Sequence, residues 1–377
     1  ITVTRSKDTT NTLKSLSLSN CTLSPTFASG TTSYTCTVEN SVTSTTVTAT
    51  ATSGVATVSG TGSKSLSVGS NTVSVKVTSQ SGAKKTYTVT VTRKASSDAT
   101  LKGLTVSSGT LSPVFSSGTT SYTLTVPYSV TSLTVTPTVN NSEAKTSVTG
   151  NTSLTVGSNT VNIVVTAGDG TKKTYTITVT RNKDTTNTLK SLSLSNCTLS
   201  PTFASVTTSY TCTVENSVTS TTVTATATSG VATVSGTGSK SLSVGSNTVS
   251  VIVTSQSGAK KTYTVTVTRK ANSDATLKNL AVSTGILSPV FSSGTTSYTV
   301  TVPYSIDNIT ITGEVNTSTS SVIGLGSKSL IVGENSFDIV VTAEDKTTKT
   351  YNITVTRSKD TTNTLKSLSL SNCTLSP

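Results

Sequence analysis

Residues 353–377 read ITVTRSKDTTNTLKSLSLSNCTLSP, and the same letters stand at 1–25. A third copy at 177–201 differs in one letter, Asn182 for Ser6. The arginines of the chain close each TVTR, at Arg5, Arg93, Arg181, Arg269 and Arg357, and each follows the last by 88 residues. A fixed period of this length reduces the fold question to one unit copied. Four periods and the restated stretch fill the 377 residues. The expected division is a last strand of a preceding repeat at 1–10, repeats at 11–98, 99–186, 187–274 and 275–362, and the start of a further repeat at 363–377. The restated text reads as a continuing period, a window on a longer array. The competing reading is that residues 1–5 are a strand completing a domain in another chain, since an unpaired strand edge invites addition.

The copies alternate. Cys21 and Cys36 return at Cys197 and Cys212, whereas the units between them carry Gly109 and Leu124, then Gly285 and Val300. Between Thr12 and Ala95 the two cysteine units differ only at Gly30 against Val206 and Lys76 against Ile252. Near-identical copies are therefore one unit apart, an order that lowers the risk of swapping between neighbours during folding.

Within a unit, apolar residues recur with period two and never with helical period. Tyr87-Thr-Val89-Thr-Val91, Val73-Ser-Val75-Lys-Val77, Val47-Thr-Ala49-Thr-Ala51 and Tyr34-Thr-Cys36-Thr-Val38 alternate cleanly, with Leu16–Leu18 and Leu66–Val68 as shorter versions. Alternation puts one face in a core and the other, here Thr and Ser, in water. Thr suits that outer face because its branched Cβ fits a pleated strand. Ser24-Pro25, Ser29-Gly30, Ser53-Gly54, Gly69-Ser-Asn71 and Ser81-Gly82 separate the runs. About seven short strands per unit point to a two-sheet β-sandwich.

Two stretches carry a resemblance: LKGLTVSSGTLSPVFSSGTTSYTLTVPYS at 101–129 and SLTVGSNTVNIVVTAGDGTKKTYTITVTR at 153–181. With LSPxF, TTSYT, the VGSNT turn and a closing TYTVTVTR, the units resemble the bacterial cadherin-like β-sandwich domain over essentially the whole chain. The resemblance implies an all-β chain of four tandem immunoglobulin-like, cadherin-like sandwiches on a secreted or cell-surface bacterial protein, and it brings no catalytic residues. It brings no calcium signature either: each linker offers one acid, Asp98, Asp184, Asp274 or Asp360, where calcium takes six to eight oxygens. The links KASSDAT and NKDTTNT lack Gly and Pro, so an extended rod of ~35–45 Å per unit is expected. Arg, Lys and Asp cluster there, as solvated polar loops or as ion pairs stiffening the junction.

Cys36 takes the inward slot of Leu124, and Cys21 lies two residues before inward Leu23. Both cysteines appear and vanish together, so bridges Cys21–Cys36 and Cys197–Cys212 are expected. Each would contribute about 3 kcal/mol by closing its loop and would imply an oxidising compartment. The competing reading is two buried free thiols.

The chain has no His and no Cys-x-x-Cys, and its 15 carboxylates cluster nowhere. Histidine triads, imidazole acid–base work and glycosidase pairs have no support. Gly60-Thr-Gly-Ser-Lys64-Ser65 lies between strands and lacks the spacing of a phosphate loop. No enzymatic activity, cofactor or metal is expected. A net charge of +13 with only 11% charged residues, spread singly and as Lys-Lys pairs, argues against nucleic acid. No run reaches the ~20 apolar residues of a membrane helix. On the Thr-covered outer face, Val164, Ile252 and Val340 stand where Lys76 does, and Leu133 and Ile309 are expected outside as well. These five are the candidate lateral contacts between copies. The function expected is structural, a rigid stalk or extracellular filament on a cell surface whose partner is itself. The alternative is an adhesin or a module binding cell-wall or host glycans, for which Tyr128 and Tyr304 beside Pro127 and Pro303 are the aromatic candidates.

Overall fold

The computed structural model describes residues 1–365, 367 and 371. Every regular element in it is a strand. In the first repeat these are β1 (Leu13–Leu18), β2 (Ser33–Val38), β3 (Ser44–Ala51), β4 (Thr57–Ser59), β5 (Gly62–Ser65), β6 (Gly69–Thr78) and β7 (Lys84–Arg93). The second repeat has β8 (Leu101–Val106), β9 (Ser121–Val126), β10 (Val135–Val139), β11 (Lys145–Thr149), β12 (Gly157–Thr166) and β13 (Lys172–Arg181). The seven-strand pattern returns between Leu189 and Arg269 and between Leu277 and Arg357. The chain divides into two compact units, Ile1–Lys183 and Asp184–Pro377.

Each repeat is two sheets around its own core. In the first, β1-β3-β5 forms one sheet and β2-β7-β6-β4 the other. The central strands β6 and β7 bury Val73, Val75, Val77, Tyr87, Val89 and Val91 from one sheet against Leu13, Leu16, Leu18 and Val47 from the other. The four cores are separate clusters. β2 runs parallel to β7, in register from Ser33↔Thr88 to Val38↔Arg93. Antiparallel hairpins alone would not give this order. The long β1–β2 connection, with its cis Ser24–Pro25 bond, carries the chain from one sheet to the other.

Two details depart from the sequence reading. The last short run is a strand at Gly62–Ser65 rather than Leu66–Val68. Leu66 is buried, but Asn71 reaches back over the next residues: its Oδ1 accepts Ser67 N–H at 2.8 Å and its Nδ2 donates to Ser67 and Gly69 carbonyls at 2.7 and 3.0 Å. That side chain turns VGSNT into a tight loop, with Gly69 at φ +90°. The strand expected within 1–10 is not formed. In the complete repeats a TVTR strand pairs with two strands that precede it in sequence. Most of the expected further repeat at 363–377, with Cys373, lies outside the described residues.

The sheets are tied by a tyrosine. Tyr87 is fully buried, and its hydroxyl accepts the N–H of Leu13 at 3.1 Å and donates to the Ser29 carbonyl at 2.7 Å. Last strand, first strand and crossing loop thus meet at one oxygen. Tyr175, Tyr263 and Tyr351 repeat the tie. Lys85, Lys173, Lys261 and Lys349 lie over these rings at 5.3–5.5 Å. One lysine of each of the pairs Lys84-Lys85, Lys172-Lys173 and Lys260-Lys261 is therefore engaged locally.

Replacing Tyr175 by Phe leaves Leu101 N–H without its partner and the Ser117 carbonyl with only the Lys173 ammonium, 3.4 Å away. The expected loss is about 1–3 kcal/mol, confined to the second repeat. Calorimetry of the full chain should show one thermal transition moving down while the others hold; an unchanged profile would refute the assignment.

Candidate functional site

The once-per-repeat arginine closes the exit of each sandwich. Arg93 donates from Nε and Nη2 to the Asn40 carbonyl at 2.8 and 2.6 Å and from Nη1 to the Leu66 carbonyl at 3.2 Å. One guanidinium fork thereby joins two loops at the end of β7. Arg269 does the same on Asn216 and Leu242. In the plain repeats the accepting residues are Tyr128 and Tyr304, whose rings lie 4.6 and 4.9 Å from the guanidinium carbons of Arg181 and Arg357. The Pro-Tyr pairs considered as glycan-binding aromatics thus pack on the arginine staple.

The entry of each sandwich is latched. In the first repeat Asp8 N–H donates to Gln80 Oε1 at 3.1 Å, and Ser81 N–H returns a bond to the Asp8 carbonyl at 3.0 Å. Asp184 and Gln256 repeat this at 3.0 Å. At the entry to the second repeat the corresponding amide is Ser96, and the residue in the glutamine slot is Gly168. The acceptor comes instead from another loop: Ser96 N–H donates to Glu143 Oε2 at 2.9 Å. A Cβ on Gly168 would stand 2.7 Å from that carboxylate oxygen. At the entry to the fourth repeat the glutamine slot holds Glu344, which takes the Asn272 N–H at 2.9 Å, and Thr319 stands where Glu143 does. The same backbone amide is held each time, from one of two places. Glu143 alone also reaches back to the preceding repeat, accepting from Asn40 Nδ2 at 3.1 Å.

The linker acids act through hydrogen bonds, not through the ion pairs weighed from sequence. Asp98 accepts Thr100 N–H at 2.9 Å and Asn140 Nδ2 at 2.7 Å, and Asp274 repeats both with Thr276 and Asn316. Ser53 and Ser229 hydroxyls donate to Asp8 and Asp184. These donors hold each carboxyl below its usual 3.8, through the Ser53 hydroxyl at Asp8, the Thr100 hydroxyl at Asp98, the Ser229 hydroxyl at Asp184 and the Thr276 hydroxyl at Asp274. The Ser96 N–H does the same for Glu143. The ion pairs among the described residues are exposed: Lys94–Glu39 and Lys270–Glu215, both 2.6 Å, and Lys278–Glu314 at 3.8 Å. Such pairs contribute about 0–1 kcal/mol.

Cys21 is bonded to Cys36 and Cys197 to Cys212, each with Cα atoms 5.8 Å apart. Cys36 is buried in the core, and Cys21 is half-buried at its edge. In the plain repeats the same space is filled differently. Leu124 and Val300 extend from the positions of Cys36 and Cys212 toward Gly109 and Gly285. A Cβ at Gly109 would stand 2.8 Å from the Thr125 carbonyl, and one at Gly285 2.6 Å from Val300 Cγ1. Both glycines also hold positive φ, +79° and +86°. The slot is thus either bridged by sulfur or filled by one large side chain facing none.

Two of the five candidate lateral contacts are corrected. Leu133 and Ile309 are 1% and 0% exposed, not outward. Their counterpart Thr45 shares the face of Val47, two residues on, and is itself 1% exposed, with its hydroxyl on the Ser19 carbonyl at 2.7 Å. A buried threonine reads as an outer one when only polarity is considered. Val164, Ile252 and Val340 do lie on the outer face, half-buried, the first two between a Thr and a Ser and Val340 between Thr350 and the exposed Ile323. Among the described residues no group of three or more acids or cysteines could hold a metal ion, and no helix is long and apolar enough to cross a membrane.

Glu143→Thr should release the Ser96 amide, raising its hydrogen-exchange rate, and Glu143→Thr with Gly168→Glu should restore protection by copying the arrangement at Glu344. Failure of the double variant to recover would refute the two-source latch. The acids predict a pH dependence. Their folded pKa values are depressed, so their contribution is complete above the unfolded values, near 3.8 for the aspartates and 4.5 for Glu143, and is lost as pH falls through the lower folded values. Thermal unfolding should be level from about pH 7 to 5 and move to lower temperature below pH 4.

Comparison with known proteins fits this architecture. A model of the family described as "Cadherin-like beta sandwich domain" matches residues 13–94, 101–182, 189–270 and 277–358. A curated protein of Evansella cellulosilytica described as "Putative membrane protein" is 36% identical over 97 residues, covering 23% of this chain and 15% of that protein. The chain thus spans a small part of that relative's length. Among solved structures, the protocadherin GammaB4 extracellular domain aligns over 93% of this chain and 68% of its own at 11% identity and TM-score 0.29. The human desmocollin-1 ectodomain aligns over 92% and 81% at 12% identity and TM-score 0.20. With four matched copies, each carrying its own two-sheet core, the chain belongs to the cadherin-like β-sandwich domain family.

Proposed function

We propose that the chain is a load-bearing segment of an extracellular stalk or filament. The observation that carries this reading is the junction. Lys94 N–H bonds back to the Val38 carbonyl of the first repeat, while Ser96 is bonded forward through its N–H to Glu143 and through its carbonyl to Asp169 N–H. Only Ala95 lies between. Lys270 and Asn272 repeat this around Ala271. A link with one free residue behaves as a stiff joint rather than a flexible tether. Inside each repeat the exit strand is held by the parallel β2–β7 ladder. Tension along β7 loads those bonds together, in shear, instead of opening them one at a time.

The disulfides support an oxidising location outside the cell, and a non-enzymatic adhesion or structural role is the usual use of this fold. Side-by-side contact through Val164, Ile252 and Val340 belongs to the same proposal, with a second copy as partner. Immunogold electron microscopy of intact cells with antibody to this chain tests it. Label along thin surface filaments is the expected result, with bundles where the lateral contact operates. Label confined to the cell interior would overturn the reading, and strictly single filaments would remove the lateral part alone.

A further inference from the structure

The two fillings of the slot at positions 21 and 36 have unequal sensitivity to reductant. In the cysteine repeats the bridge links the third residue after β1 to the middle of β2. β2 is the strand held in parallel to β7. Tension entering through β1 therefore passes through the sulfurs into β2 and its parallel ladder with β7, bypassing the intervening loop. In the plain repeats the corresponding path runs along that loop, and Leu124 or Val300 holds the slot by packing alone.

We propose that this makes the first and third repeats redox-adjustable links: bridged, they resist extension, and reduced, they become the first repeats to give way. Two effects act together. Reduction removes the loop constraint on the unfolded chain. It also forces two sulfurs, bonded at about 2 Å, to move apart by about 1.5 Å to ordinary contact distance. Cys36 sits in a close-packed core, where added volume is poorly tolerated. Cys21 Sγ, on the half-buried residue, is the sulfur open to attack. A dithiol reductant supplies the chemistry. Its thiolate attacks Cys21 Sγ, the S–S bond breaks, and Cys36 leaves as a thiolate that takes a proton. The second thiol then displaces Cys21 from the mixed disulfide, leaving two thiols and one cyclic disulfide, a transfer of two electrons. The plain repeats contain no group that this reagent changes. The device concerns the stability of individual repeats and holds whether or not the chain is a stalk.

Single-molecule stretching of the full chain, with and without dithiothreitol, tests the proposal. Without reductant, two of the four unfolding events should release less chain than the other two. The deficit is the 15-residue span between the cysteines, about 50 Å when extended. With reductant the four increments should become equal, and the two altered repeats should unfold first, about tenfold faster or more at a given force. Increments indifferent to dithiothreitol would overturn the proposal. So would increments that become equal while the order of unfolding stays the same, since the bridge would then exist without setting resistance. The variant carrying Cys21→Gly, Cys36→Leu, Cys197→Gly and Cys212→Leu, which copies the second repeat, should ignore reductant altogether. Were it not to fold, the comparison on the unmodified chain decides by itself.

Discussion

The hydroxyl of one buried tyrosine per repeat holds the architecture together. A unit of this size buries a modest core, and each of its two sheets could slide on the other if side-chain packing were the sole constraint. Tyr87 removes that freedom by joining β7 of one sheet to the first amide of β1 in the other and to the loop that connects β1 with β2. Phe27 stacks on Tyr34, 6.0 Å away, and tilts against Tyr87 at 6.3 Å, so most of the chain's few aromatics are gathered at this seam. The Tyr34 hydroxyl, 2.8 Å from the Ala28 and Thr31 carbonyls, fixes the same loop from the other side. The parallel placement of β2 beside β7 depends on that loop crossing between sheets at a defined point.

From this seam the rest follows outward. β7 ends in an arginine that fastens two loops, and the next residue but two is already latched to the following repeat. Acid, amide and hydroxyl groups do this work at the surface, where individual hydrogen bonds contribute little. What they provide is definition, because within each unit they act in series along the backbone on either side of Ala95 and of Ala271. The chain therefore spends its scarce carboxylates at entries and exits rather than on salt bridges across its faces.

Much of this was legible in the letters. The period, the two-sheet class, the strand faces and the pairing of cysteines all follow from alternation and from residues that vary together. The parallel ladder was not, since alternation gives the face of a strand but not its neighbour. Thr45 shows another limit. Its hydroxyl finds a carbonyl inside the sandwich, so its letter points outward while its register points inward, and Leu133 and Ile309 inherit the same error. The latches were invisible for a third reason. Ser96 is held by Glu143 from 47 residues away, and nothing local in sequence joins the two positions. The signal that could have found them is a comparison of copies: Gly168 with Glu143 in the second repeat, against Glu344 with Thr319 in the fourth.

That last contrast constrains the history such an array can have. Tandem copies of related text are prone to unequal exchange, and a crossover between the second and fourth repeats outside these two loops would leave each entry latch intact. A crossover falling between the positions of Glu143 and Gly168 would not. One product would inherit both carboxylates, with Glu143 only 2.7 Å from the first atom of the new side chain; the other would inherit neither and leave its entry amide unheld. The two loops are thus bound to travel together. The array should diversify by whole repeats or by pairs of repeats, and mosaics joined inside that interval should be selected against.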